Sequence, residues 1–185
     1  HRMVMSGFPP TLPSDERVLF RLETQRSDPP LFLLVQSRCQ PDWGGLERRR
    51  CLLRPAEVKT LELHPAVGDT FHFRLLANPT KRLGAKDPAA GKRVGLLREE
   101  EQTDWLQRKA QRHGFRLLDV QTAAVRQPDG WKEEGGKKHR LRQVGVRFDG
   151  LLEVLDAPVF MEAWSSGIGS GKGLGFGLLS LARAG

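Results

Sequence analysis

This sequence predicts an α+β fold: two tandem ferredoxin-like (RRM-like, βαββαβ) domains with antiparallel sheets. Three observations carry that expectation. The chain has 185 residues, which is room for two domains of roughly 90 residues each. Strand-like and helix-like apolar patterns alternate along it, which favours mixed α and β layers. Its composition is globular. Hydrophobic residues make up 38%, and 20 Gly and 12 Pro are too few for a disordered or collagen-like chain. The expected division is residues 1–80 for the N-terminal domain, 81–98 for a basic linker and 99–185 for the C-terminal domain. The first domain is expected to lack its N-terminal strand, because the chain begins with His1.

Each element has a local reason. Residues 18–23 and 31–37 are apolar runs around the turn residues Ser27-Asp28-Pro29-Pro30, and they predict two strands. A short helix is expected before them, with room for another near 43–57. Residues 70–76 alternate, with Phe71, Phe73 and Leu75 on one face and Thr70, His72 and Arg74 on the other, the period of a half-buried strand. Residues 99–113 predict the clearest helix. Glu99, Glu100 and Glu101 open it, Arg108, Lys109, Arg112 and His113 close it, and Gly114 stops it, an order that complements the helix dipole. Trp105, Leu106 and Ala110 are its expected buried face. A strand at 115–120 and a polar, Gly-rich stretch at 127–138 follow. Asp149-Gly150 predicts a hairpin between strands 141–148 and 151–155. Asp156 caps a short helix with Pro158 in its first turn and Gly167 beyond its end. A last strand is expected at 174–181.

The charge excess points to a polyanion. Thirty Lys and Arg against 22 Asp and Glu give +8, and a basic surplus favours nucleic acid ahead of a membrane surface. Of the 30, 21 are Arg and nine are Lys, and Arg favours bidentate phosphate and base recognition. Three clusters stand out: Arg48, Arg49 and Arg50; Lys81, Arg82, Lys86, Lys92 and Arg93; and Lys137, Lys138, Arg140, Arg142 and Arg147. One such cluster is as readily a solvated face. Three of them beside a Gly-Lys loop predict a shared polyanion-binding surface.

Other chemistries find little support. No apolar run approaches the roughly 18 residues of a membrane span, and the absence of a signal-peptide pattern predicts a cytoplasmic protein. Cys39 and Cys51 make neither a disulfide framework nor a metal site, and His64, His72, His113 and His139 are scattered, so no metal and no cofactor is expected. Gly167, Gly169, Gly171, Gly173, Gly175 and Gly177 form a Gly-rich loop around Lys172. It fails both the dinucleotide and the Walker A spacing, and it follows a helix instead of a strand. Two roles stay open for it: backbone N–H groups close to a phosphate, or a tight connection packed against a neighbouring sheet.

Several stretches together resemble one family. They are His1-Arg2 leading to Phe8-Pro9, residues 73–81 (FRLLANPTK), Gly91-Lys92-Arg93-Val94, residues 105–109 (WLQRK), residues 148–152 (FDGLL), and Gly167-Ile168-Gly169 through Lys172 to the run 175–182 (GFGLLSLA). In this order, over essentially the whole chain, they resemble the CRISPR RNA-processing endoribonuclease of the subtype I-E Cascade complex, in the RAMP superfamily. The resemblance implies two ferredoxin-like domains and metal-independent cleavage of repeat RNA at the base of its stem-loop. It also implies mature crRNA held as product, and other Cascade subunits as partners. It places the catalytic histidine at His1. The family often has a Tyr just upstream, whereas this sequence contains no Tyr. Arg2, Lys81, Arg82, Lys86, Lys92, Arg93, Lys137, Lys138, Arg140, Arg142 and Lys172 are the expected RNA-binding residues. The rival reading is a non-catalytic RNA-binding subunit of a ribonucleoprotein. A nucleotide-binding enzyme using the Gly-rich run comes third.

Overall fold

A computed structural model describes residues 1–23, 32–85, 88–125, 130–134, 137–141 and 145–184. The chain runs α1 (Arg2–Met5), β1 (Leu19–Glu23), β2 (Phe32–Gln36), α2 (Gly44–Arg48), β3 (Thr70–Ala77), β4 (Thr80–Arg82), β5 (Arg93–Gly95), α3 (Glu99–Arg112), β6 (Phe115–Val125), β7 (Gly130–Glu134), β8 (Lys137–Leu141), β9 (Gly145–Val154), α4 (Ala157–Ser166), a 3₁₀ turn (Lys172–Leu174) and β10 (Leu179–Arg183).

The main sheet has four antiparallel strands in the order β10-β3-β9-β6. With α3 between β3 and β6, and α4 between β9 and β10, the main-sheet strands and these two helices follow one another as βαββαβ, with the pairs β4–β5 and β7–β8 inserted. The expected division at residue 80 would assign β3 to the first domain, yet its hydrogen bonds place it between β9 and β10. The alternation that predicted β3 is the reason it packs so well. Phe71, Phe73 and Leu75 are all buried, and they meet α3 and α4 through Trp105, Leu106, Phe160 and Ala163 in one core. Phe160 stacks on Phe71 at 6.3 Å and meets Phe115 edge-on at 5.7 Å. Offset and edge-to-face pairs of this kind fill a core without voids.

The helix termini follow their signals. Asp156 accepts a hydrogen bond from the Val159 amide at 3.1 Å and starts α4. Beyond the end of α3, the Gly114 carbonyl accepts from the amides of Leu155 and Asp156 at 2.8 and 2.9 Å. The stop of one helix is thereby tied to the start of the next.

Three expectations are corrected. Asp149-Gly150 is no hairpin turn, because both residues lie inside the continuous strand β9, paired with β3 and β6. The pairing register with β6 shifts between Leu117 and Asp119, a bulge that brings its backbone against β9. A Cβ at position 150 would collide with the Asp119 carbonyl oxygen, so glycine is there for close backbone approach. Gly150→Ala is expected to lower stability by about 1–3 kcal/mol, read as a lower thermal midpoint. Second, the polar stretch 127–138 contains strand β7 and the start of β8, which pair with each other beyond the paired ends Val125 and Gly145 of β6 and β9. Third, the last strand begins at Leu179, because Lys172–Leu174 coils into a 3₁₀ turn.

The described residues before position 50 form a smaller unit. β1 and β2 pair antiparallel, and Val4, Phe8 and Phe20 make its core with Trp43 packed beside them. The expected helix near 43–57 is the short α2. Residues 81–98, expected as a linker, carry the paired strands β4 and β5. Cys39 and Cys51 are both free. Among the described residues, no helix is long and apolar enough to cross a membrane.

Polar bonds join the small unit to the large one. Arg21 on β1 is 3% exposed. Its guanidinium donates to the carbonyls of Arg74 and Leu178 at 3.2 and 3.1 Å, and to Ser180 Oγ at 2.8 Å. It also pairs with Glu23. Burial holds the Arg21 pKa below its usual value, with Glu23 opposing. Arg74 bridges Glu23 at 3.6 Å and Asp149 at 2.6 Å, and Asp149 also binds Arg147. Arg147, counted in the third basic cluster, is therefore committed to a carboxylate.

Candidate active site

His1 is exposed at the start of α1. Its ring centroid lies 6.2 Å from that of Phe20 on β1. The Gly-rich loop is also close, for a Cβ built on Gly173 would lie 3.9 Å from His1 Nδ1. The loop is held from both sides. The Ile168 amide donates to the Gly177 carbonyl at 2.9 Å, and the Gly177 amide donates to the Leu76 carbonyl at 2.8 Å. Ile168, Phe176 and Leu178 are buried anchors. Gly171 and Gly175 flank the 3₁₀ turn with φ of 84° and 88°, a left-handed backbone that favours glycine. The loop thus holds Gly173 at a fixed position beside His1, with Lys172 as its neighbour in the chain.

Around Lys172 the structure gathers cations. The Lys172 ammonium is held below its usual pKa by burial and then by Arg17 and Lys109. Lys109 is lowered by burial and by Arg112 and Arg93, and its Nζ sits 5.7 Å above the Trp105 ring. His113 is lowered by burial, Lys109, Lys172 and Arg112. The consequence for stability has a definite sign. The unfolded chain takes up the His113 proton at the ordinary value of about 6.5, and the fold takes it up only at lower pH. Stability is therefore unaffected by this group above that value and falls as pH drops through it. His113→Gln is expected to flatten part of the decline in thermal midpoint between neutral and mildly acidic pH.

The other expected RNA-binding residues are distributed. Arg2 is exposed on α1, next to His1. Lys81 and Arg82 lie on β4, with Arg93 on β5 and Lys92 just before it, all exposed. Lys81 is paired with Glu101 at 2.7 Å, which draws the Glu101 pKa down. Lys137, Lys138 and Arg140 lie on β8, the strand that pairs with β7 beyond the main sheet. Lys86 and Arg142 lie outside the described residues. Of the expected site residues, His1 and Gly173 of the Gly-rich loop are the ones the structure brings together. Arg17, Lys109, Arg112 and His113 were not singled out as RNA-binding residues from sequence. The last three read there as the dipole-matching end of a helix, and nothing local marks Arg17.

Fold and site together define a basic α+β protein whose exposed histidine faces a lysine-bearing glycine loop. The family described as CRISPR associated protein matches residues 1–183, and the chain belongs to it. The CRISPR-associated endoribonuclease Cse3 of Thermus thermophilus is 39% identical over 181 residues, covering 90% of this chain and 80% of that protein. The CRISPR system Cascade subunit CasE of Escherichia coli K12 is 32% identical over 189 residues, covering 98% and 89%. Among solved structures, Cse3 bound to a 19-nucleotide RNA superposes with a TM-score of 0.77 at 36% identity, covering 99% of this chain and 88% of that one.

Proposed function

We propose that this protein is a metal-independent endoribonuclease that cuts CRISPR repeat RNA at the base of its stem-loop and keeps the mature crRNA bound within Cascade. The observation that carries this reading is the exposed His1 beside Gly173, the neighbour of Lys172 in the Gly-rich loop, in a chain whose relatives include an endoribonuclease. RNA brings its own nucleophile. A base removes the 2′-OH proton, the oxygen attacks phosphorus, the bond to the 5′ oxygen breaks, and that oxygen takes a proton. The products are a 2′,3′-cyclic phosphate and a 5′-hydroxyl. Neutral His1 suits the first proton transfer and its imidazolium suits the last. Lys172 places positive charge beside the site, where it stabilises the pentavalent phosphate.

The β7–β8 hairpin, with Lys137, Lys138 and Arg140, suits contact with the stem. The basic residues of β4 and β5 suit its phosphates. The βαββαβ order of the main-sheet strands with α3 and α4 is our basis for reading a ferredoxin-like domain there. We read residues 1–50 as belonging to a second such domain, and we place the protein in the cytoplasm. Incubating a repeat hairpin RNA with the protein in EDTA tests the reaction. Cleavage to cyclic-phosphate ends is expected, as is complete loss of cleavage with a 2′-deoxy nucleotide before the scissile phosphate. Cleavage that persists on the 2′-deoxy substrate would exclude the 2′-OH route. A protein that binds the hairpin and never cuts it would be the non-catalytic subunit.

A further inference from the structure

We infer that the C-terminal end of α3, with Lys109, Arg112 and His113, joins Lys172 and Arg17 in a second RNA subsite. It takes the backbone of the single strand flanking the hairpin, next to the His1 site. The inference rests on the reading of His1 as the cleavage site. Its geometry is continuous. His1 faces Gly173, and Gly173 adjoins Lys172. The Trp105 ring ties α3 to the same loop, since a Cβ on Gly169 would sit 3.1 Å from it while Lys109 Nζ lies over its plane. Lys172 is held in turn, its Cγ lying 3.5 Å from a Cβ built on Gly177.

The charges at this place are one-sided. Every charged group found to act on Lys109, His113 and Lys172 is itself a cation. Among the described residues none of Arg17, Lys109, Arg112 and Lys172 has an ion-pair partner, whereas Lys81, Arg74, Arg116 and Arg147 each do. Half-burying two lysines among like charges is unfavourable in the free protein, and a polyanion crossing them removes that penalty. A phosphodiester strand fits the chemistry. Successive phosphates offer repeated single negative charges, which two lysine ammonium groups and two guanidinium groups can neutralise without reading sequence.

The test compares wild type with Lys109→Gln/Arg112→Gln, which keeps a side-chain stem over Trp105. Each protein is titrated with two 2′-deoxy-blocked RNAs by fluorescence anisotropy across a salt series. One RNA is the bare hairpin, and the other carries single-stranded nucleotides on both sides. On the flanked RNA the variant is expected to bind about tenfold more weakly. Its salt slope should be shallower by about 1.4, two contacts at roughly 0.7 each. On the bare hairpin the two proteins should bind alike, and their thermal midpoints should match. Equal loss on both RNAs, or no loss on either, overturns the subsite while leaving the reading of His1 intact. Wild type that binds neither RNA overturns both.

Discussion

His1→Ala is expected to slow single-turnover cleavage of a repeat hairpin RNA by about 10²–10⁴-fold, the range that a positioned general acid or base supplies. RNA affinity should change little, because the cations that release counterions from phosphates are untouched. His1 makes one aromatic contact, to Phe20, and is otherwise exposed, so the variant should keep the wild-type thermal midpoint. Rate and affinity thus separate a proton-transfer role from a binding role. A variant that still cuts at the wild-type rate in EDTA would remove His1 from the mechanism, and one that loses affinity in step with rate would make it a binding residue. The same RNA offers a second measurement. Affinity for it should fall steeply between low and moderate salt, and a nearly flat response would count against an extended cationic surface.

Legibility in the sequence followed the range of the interactions. The strand at Thr70–Ala77 and the helix at Glu99–Arg112 could be read because alternation, acidic start, basic end and a glycine stop are all local. The Asp156 cap is local too. Asp149-Gly150 misled for the opposite reason. Its glycine serves a bulge on β6, some thirty residues away in sequence, and no neighbouring residue announces that. The pairing of β7 with β8 is hard to read locally, because charged residues along both strands hide the alternation of a strand pattern. The site shows the same limit. His1 could be chosen only by family resemblance, and its meeting with the glycine loop joins the two ends of the chain. Arg17, Lys109, His113 and Lys172 converge from three separate segments, so charge counting along the chain scattered what the fold assembles.

Arg21→Ala is expected to destabilise the protein by about 3–5 kcal/mol, the cost of removing one member of a buried charged network. The guanidinium is the donor for two carbonyls and one hydroxyl on the other side of the junction. No small side chain reaches them, so the Arg74 and Leu178 carbonyls would each lose this partner, and Glu23 would keep only its longer pairing with Arg74. A buried acceptor that loses its donor costs about 1–3 kcal/mol, so the total is consistent with the network estimate. Denaturant unfolding at neutral pH measures it, and a loss under about 1 kcal/mol would mean that the junction is not held by this residue. Arg21→Lys separates stability from activity. A lysine can satisfy one or two acceptors but cannot reproduce the planar fork, so the protein should fold with reduced stability. Phe20, the preceding residue, has its ring 6.2 Å from that of His1 and 3.3 Å from where a Cβ on Gly175 would be. Any shift of β1 therefore moves the surface on which His1 rests. The lysine variant should cut more slowly while binding RNA with near-wild-type affinity, since none of the exposed cations has moved. If its cleavage rate is unchanged although its stability has dropped, then Arg21 holds the two units together without setting the position of His1.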